Sequence, residues 1–180
     1  MKKHKTVAVT TAVAIAGLLL FSNLAIGQSP KLSDPEIASV AVTANQNDID
    51  FAQIAFKNSK NDEVLNFAKT MANDHKAVIE QAVALVTKLK VTPATNSLTE
   101  KLLTDAEKTK KELSSKTGKK FDIAYINNEV AYHKAVISVV ETILIPQTEN
   151  AELKSLLQGV VPALKTHLSH AEMVQKMVTK

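Results

Sequence analysis

Six ionisable side chains of this chain stand on or beside the apolar stripes of sequence segments with helical periodicity. They are Asp48, His75, Glu129, His133, His167 and His170. Neutral imidazole nitrogen and carboxylate oxygen are ordinary ligands for Zn, Fe and Cu. The chain has no cysteine, so thiolate ligands are excluded. The residue types therefore predict that a divalent transition metal could be held in a His/carboxylate cluster.

The first two of these residues interrupt apolar stripes near their centres. At 100° per residue, Asp48 falls within about 20° of the middle of its stripe, between Ala44 and Phe51. His75 takes the same place in the next segment, between Met71 and Val78. A charged group at such a position is costly to bury without a partner. The pattern therefore indicates that these two side chains face polar groups of other helices.

The remaining four lie on two later segments. Glu129 and His133 are four residues apart and so share one helix face. His167 is in the stripe of the last segment, and His170 is at its edge. On each of the four segments one of these groups lies near the middle, and antiparallel helices bring their midpoints to one level. We therefore expect the two carboxylates and at least three of the imidazoles to converge in the core.

A second interpretation of the same residues is purely structural. An Asp48–His75 pair and a Glu129–His133 pair would form a buried polar network that fixes the register of the helices without any metal. In that case the protein would be a non-catalytic structural or stress-related binding protein of the envelope. The sequence leaves both interpretations open.

Four long helices are predicted to position these groups, which makes the fold all-α. Apolar stripes and the residues typical of helix ends place these helices at about 34–59, 62–90, 121–145 and 151–178. Ser33 with Glu36 and Ser97 with Glu100 form capping-box patterns. The second pattern opens a shorter surface helix that Gly118 closes, and Pro162 should kink the last helix. The long link between the second and third long helices predicts the single crossover of a ferritin-like four-helix bundle.

The first 27 residues resemble an export signal. Lys2, Lys3 and Lys5 precede an apolar run from Val7 to Leu20, and Ala25-Ile26-Gly27 supplies small residues for cleavage. We expect a cleaved signal peptide over 1–27 and one helical domain over 28–180, located in the periplasm or cell envelope. A retained membrane anchor is the alternative, because the apolar run is nearly long enough to span a bilayer.

Charge and motifs exclude several function classes. The net charge of +4 falls to +1 once the three lysines of the signal are removed. All basic residues are lysine, so the bidentate arginine that reads phosphate and guanine is missing and no nucleic-acid binding is expected. The chain also lacks a G-x-S-x-G element and a glycine-rich phosphate loop, which argues against a hydrolase.

Five motifs together carry a resemblance to a known family. They are Asp74-His75 after an F-A-x-x-M run, Phe121-Asp122-x-Ala124-Tyr125-Ile126, Glu129-Val130-x-Tyr132-His133, Ile145-Pro146, and His167-Leu168-x-His170-Ala171. In this order they resemble a bacterial family of exported proteins defined as a domain of unknown function and often described as outer-membrane proteins. The resemblance covers about 35–178. It implies a ferritin-like fold and an envelope location, but no activity.

The chain departs from the ligand pattern of ferritin-like di-iron proteins. Those carry Glu on two helices and Glu-x-x-His on the other two. Here His133 follows Glu129 by four residues, and the last helix has His167-x-x-His170 without a matching Glu. Two inward carboxylates are too few for a carboxylate-bridged metal pair. The sequence therefore favours a single, histidine-rich metal site, and an oxidoreductase using that metal ranks behind simple metal binding.

Overall fold

The computed structural model of the protein describes residues 31–180, and these residues form helices and no strand. The predicted signal peptide over 1–27 lies outside the described residues. The helices are α1 (Asp34–Asn58), α2 (Asp62–Leu89), α3 (Ser97–Ser114), α4 (Gly118–Val139), a π-helical segment (Val140–Leu144), α5 (Ile145–Gln147) and α6 (Ala151–Val178). The all-α prediction is confirmed, and the bounds of the long helices agree with it to within a few residues.

Three asparagines begin three of the helices. Asn61, Asn96 and Asn150 each accept two backbone N–H groups of the following turn through their side-chain oxygen. At α1 the Glu36 carboxylate accepts the backbone N–H of Ser33 at 2.9 Å. The capping role predicted for Ser97 was wrong, because Asn96 caps α3 and Ser97 is its first helical residue. The helix also ends at Ser114, before Gly118, which instead begins α4 with a φ of +57°.

Hydrogen bonds at the helix ends define the direction of each helix. Asp34, at the start of α1, accepts the backbone N–H groups of Glu149 and Asn150, which precede α6. Lys88, at the end of α2, pairs with Glu152. The starts of α1 and α6 therefore share one end of the molecule with the last turn of α2, so α2 runs antiparallel to both.

The link between α2 and α4 follows α1 along its whole length. The Ala94 N–H donates to the Pro35 carbonyl at 3.0 Å, and the Asn47 amide donates to the Leu102 carbonyl at 3.2 Å. At the far end the Asn58 amide donates to the Lys116 carbonyl. Helix α3 therefore runs parallel to α1 and returns the chain to the end where α4 starts. It is not only a surface connector, because it buries one side chain in each of three successive stretches, at Thr99, Ala106 and Leu113.

The buried apolar side chains form two clusters at opposite ends of the long helices. One cluster contains Phe51, Phe67, Met71, Tyr125 and Val174, among others. The other contains Val40, Ile137, Leu144, Leu157 and Leu164, among others. On each long helix one polar residue lies between the residues of these two clusters: Asp48, His75, His133 and His167. The two apolar cores therefore enclose a polar layer at mid-height.

Helix α6 is continuous from Ala151 to Val178, although Pro162 stands inside it. Proline cannot donate the backbone hydrogen bond that position 162 would give to residue 158. Gly159, in the same stretch, has no atom within 4 Å of the place that a Cβ would take. The turns before His167 are thus the part of α6 with the weakest helix-forming residues.

We expect Gly159→Ala to stabilise the protein. Alanine at this exposed helical position reduces the entropy of the unfolded chain and meets no steric resistance, for a gain of about 0.5 to 1 kcal/mol. For a domain of this size the melting temperature should rise by about 2 °C. Thermal unfolding followed by circular dichroism measures this. The matched control is Gly118→Ala, which should destabilise the protein because residue 118 has a positive φ. A fall in melting temperature for Gly159→Ala would contradict the expectation.

Candidate metal centre

Each of the four long helices contributes to one buried polar layer. Asp48 comes from α1, His75 from α2, Glu129 and His133 from α4, and His167 from α6. Their exposed fractions are 0%, 4%, 0%, 1% and 6%. In the structure these five side chains point inward, and they lie close together.

The five side chains form two overlapping groups. Ligand atoms of His75, His133 and His167 lie within 4.8 Å of one another. Ligand atoms of Asp48, Glu129 and His133 also lie within 4.8 Å of one another. His133 belongs to both groups, so it connects the imidazole side of the layer with the carboxylate side.

The orientation of His75 is fixed by an asparagine that sequence reasoning missed. The Asn45 amide donates to the Ala41 carbonyl at 2.8 Å, so its oxygen faces His75. His75 Nδ1 lies 2.7 Å from that oxygen and must carry the proton of the bond. Its Nε2 then has a free lone pair. The sequence feature that could have identified Asn45 is its position one turn before Asp48, at the edge of the apolar stripe of α1.

The other two imidazoles are oriented in the same way. His133 Nδ1 donates to the backbone carbonyl of Glu129 at 2.9 Å. His167 Nε2 lies 3.0 Å from an Asp74 carboxylate oxygen and donates to it. The remaining nitrogens, Nε2 of His75, Nε2 of His133 and Nδ1 of His167, are buried and have no hydrogen-bond partner. Three imidazoles with one nitrogen tied to an acceptor and the other free are the arrangement that metal-binding histidines adopt.

Asp48 lies between the imidazoles. One of its carboxylate oxygens is 3.3 Å from His75 Nε2 and 3.6 Å from His133 Nε2. These values are close to the separation of about 3.3 Å between neighbouring donors around a tetrahedral metal with 2.0–2.1 Å bonds. No side-chain or backbone donor reaches either Asp48 oxygen or one oxygen of Glu129, although the two carboxyl groups lie close enough to share a proton. The carboxylates therefore also present free lone pairs to the layer.

Burial shifts the pKa values of four groups in this layer, Asp48, His75, Glu129 and His133, towards their uncharged forms. Desolvation lowers the pKa of His75 to about 3 and that of His133 to about 4, with nearby histidines adding to the effect. Desolvation raises the pKa of Asp48 to about 8. It also raises the pKa of Glu129 well above the ordinary value, and the neighbouring Asp48 adds to that. At neutral pH the imidazoles of His75 and His133 are therefore uncharged, which is the form that binds metal.

Two further residues named by the sequence lie outside this layer. His170 belongs to neither ligand group, and its ring packs against Phe67 with centroids 5.1 Å apart. Asp122 accepts a hydrogen bond from the Ser59 hydroxyl at 2.6 Å, near the turn between α1 and α2.

The two tyrosines of α4 differ in their hydrogen bonds. The Tyr132 hydroxyl donates to the Ala44 carbonyl at 2.8 Å, whereas the Tyr125 hydroxyl is buried without a partner.

Comparison with models of known protein families shows which family the chain belongs to. A family model described as a domain of unknown function, DUF4142, matches residues 22–174. The chain belongs to the DUF4142 family. No curated protein and no solved structure matches it. All five residues of the polar layer, and also Asp74 and His170, fall inside the DUF4142 match, so the candidate site is part of the domain that defines the family. None of the helices within 31–180 has the length and apolar character that a membrane crossing requires.

Proposed function

We propose that this DUF4142 protein binds one divalent transition-metal ion through His75, His133, His167 and Asp48. The observation that carries the proposal is the set of buried polar atoms without a partner. Six such atoms belong to the five residues of the polar layer. Leaving one buried polar group unpaired costs about 1–3 kcal/mol. A cation surrounded by these atoms would satisfy several of them at once.

The donor set restricts the metal. Three imidazoles and one carboxylate are ligands of intermediate softness, which suit Zn, Fe and Cu. Glu129 supplies a second carboxylate beside Asp48 and His133, either as a further ligand or as the partner of Asp48. The hard-ion sites that Mg and Ca prefer use oxygen ligands alone, so these ions are disfavoured.

The proposal includes a fold and a location. The directions of α1, α2, α4 and α6, with α3 returning the chain along α1, support a ferritin-like four-helix bundle with one long crossover. The basic and apolar pattern of residues 1–27 supports export through a cleaved signal peptide. We therefore propose a periplasmic or envelope protein that binds or handles the metal without catalysing a reaction.

The structural alternative is a polar network that needs no metal. It draws support from the Asp48–His75 contact of 3.3 Å and from the Glu129–His133 contact of 3.7 Å. In this alternative, ordered water would bridge the free nitrogens and oxygens. The two functions differ in how the protein responds to metal.

Metal analysis of protein made without a histidine tag tests the proposal. We expect close to one equivalent of Zn, Fe or Cu per chain, or Zn²⁺ binding by the metal-free protein in that ratio. Because only the folded state presents the assembled site, bound metal should raise the melting temperature. Less than about a tenth of an equivalent, unchanged by added Zn²⁺, Fe²⁺ or Cu²⁺, would support the structural network instead.

A further inference from the structure

Among the described residues, Asp74 provides a charged connection between the buried ligands and the surface. The side chains of Asp48, His75 and His133 are 1%, 5% and 1% exposed. The side chain of Asp74 is 52% exposed and lies 3.0 Å from His167. The groups that orient the other two histidines, the Asn45 amide and the Glu129 backbone carbonyl, are neutral. A hydrated cation approaching from solvent at the His167 side of the layer therefore meets the Asp74 carboxylate.

We propose that Asp74 and His167 form the route by which a divalent cation reaches and leaves the buried site. This inference rests on the proposed metal-binding function. Asp74 attracts the cation at the surface, and His167 is the ligand next to it. Asp74 precedes the ligand His75 directly, so α2 carries both the surface carboxylate and a buried ligand.

The proposed route requires local opening of the helix that carries His167. Pro162 removes a backbone hydrogen bond five residues before His167, and Gly159 lies in the same stretch. Local opening of a helix is easiest where such bonds and helix-forming residues are missing. No other long helix among the described residues has a proline in its interior. Opening of this stretch would move His167 and expose its free Nδ1 to a cation at Asp74.

The test is the rate of metal exchange in Asp74→Asn. Asparagine keeps a side-chain oxygen that accepts the His167 Nε2–H, so the orientation of the ring is retained while the negative charge is lost. We expect the association rate constant for Zn²⁺ to fall about tenfold, because an attracting charge at the point of approach is removed. The dissociation rate constant should fall as well, since the same route serves release. The Kd should stay within about threefold.

Stopped-flow mixing with Zn²⁺ and a metallochromic dye measures uptake, and excess chelator measures release. Glu80→Gln is the matched control, because it removes one exposed carboxylate from the same helix, away from His167. A merely orienting role for Asp74 predicts a different result: release becomes faster and the Kd rises 10- to 100-fold. That result, or rates equal to those of Glu80→Gln, would overturn the route while leaving the proposed function intact. Absence of Zn²⁺ binding by the natural protein would defeat both.

A second variant tests the opening of α6 without touching the charges. Gly159→Ala strengthens the helix before His167, so both uptake and release should slow by a similar factor with an unchanged Kd. Lys154→Ala, another single substitution to alanine in α6 at a position before the stretch with Gly159 and Pro162, is the control and should leave both rates as they are. Unchanged rates in Gly159→Ala would show that His167 does not move for exchange and would contradict this part of the proposal.

Discussion

Replacing His133 by leucine should abolish metal binding while the protein remains folded. His133 is the one side chain that belongs to both ligand groups. Loss of an orienting partner alone weakens metal sites 10- to 100-fold, so loss of a central ligand should raise the Kd for Zn²⁺ by about a thousandfold or more. Leucine has a similar volume and fills the space next to Val130 and Ile137, which keeps the packing of α4. Competition with a chelator of known affinity gives the Kd.

His170→Leu is the matched control for this prediction. It removes one histidine three residues from His167, but His170 belongs to neither group and packs against Phe67. Zn²⁺ affinity should therefore be unchanged. Equal losses in the two variants would mean that binding occurs at scattered surface histidines and would contradict a buried site. Unfolding of His133→Leu at room temperature would make His133→Asn the variant to use, with the same expected loss of affinity.

The sequence predicted the helices and the inward residues because both depend on local periodicity. Asp48, His75, Glu129, His133 and His167 were selected from their places in apolar stripes, and the structure brings all five into one layer. Helix ends were predicted less accurately. Ser97-x-x-Glu100 matches a capping box, but Asn96 stands one residue earlier and its side chain reaches the N–H groups of Leu98 and Thr99. Asparagine and serine are similarly good caps, so only the backbone geometry decides between them.

The orientation of the ligands could not be predicted from the sequence. Which nitrogen of each histidine faces the layer depends on partners supplied by backbone and by other helices. Asn45 comes from α1 and Asp74 from α2, each reaching a histidine of a different helix. The surroundings of His170 could not be predicted from the sequence either. Its spacing from His167 suggested a ligand, but three residues turn a helix by about 300°, and its ring meets Phe67 at the edge of the apolar cluster.

The metal-free protein should lose stability as the pH rises from about 6.5 to 8. The pKa of Asp48 is raised to about 8 in the folded state, so from pH 4 to 8 the folded protein holds a proton that the unfolded chain has lost. The lowered pKa values of His75 and His133 act in the opposite direction, but only below about 6.5. Above that pH the carboxyl effect remains alone. It amounts to about 2 kcal/mol, or a fall of about 4–8 °C in melting temperature.

The variant Asp48→Asn isolates the contribution of the Asp48 carboxyl to this loss of stability with pH. Asparagine has nearly the same shape and no ionisation, so the metal-free variant should be more stable than the natural protein at pH 8, and its melting temperature should change less between pH 6.5 and 8. Glu129, whose pKa is raised in the same direction, leaves part of the slope in place. Asp50→Asn, on the same helix but paired with Lys110 near the surface, is the control and should keep the full slope.

Added Zn²⁺ should reverse the pH trend in the natural protein. A metal bound to Asp48 takes the place of its proton, so affinity rises with pH until the carboxyl is ionised without metal, and the stabilisation by Zn²⁺ is larger at pH 8 than at pH 6.5. In Asp48→Asn the stabilisation by Zn²⁺ should be small at both pH values.

A structural network predicts a different result. Asp48→Asn would then lower the melting temperature of the metal-free protein at every pH, because one partner of the His75 contact is weakened. Added Zn²⁺ would change the melting temperature of neither protein. Differential scanning calorimetry of both proteins at the two pH values, with and without Zn²⁺, therefore decides whether the unpaired carboxyl of α1 exists to bind a cation or to hold α1 against α2 and α4.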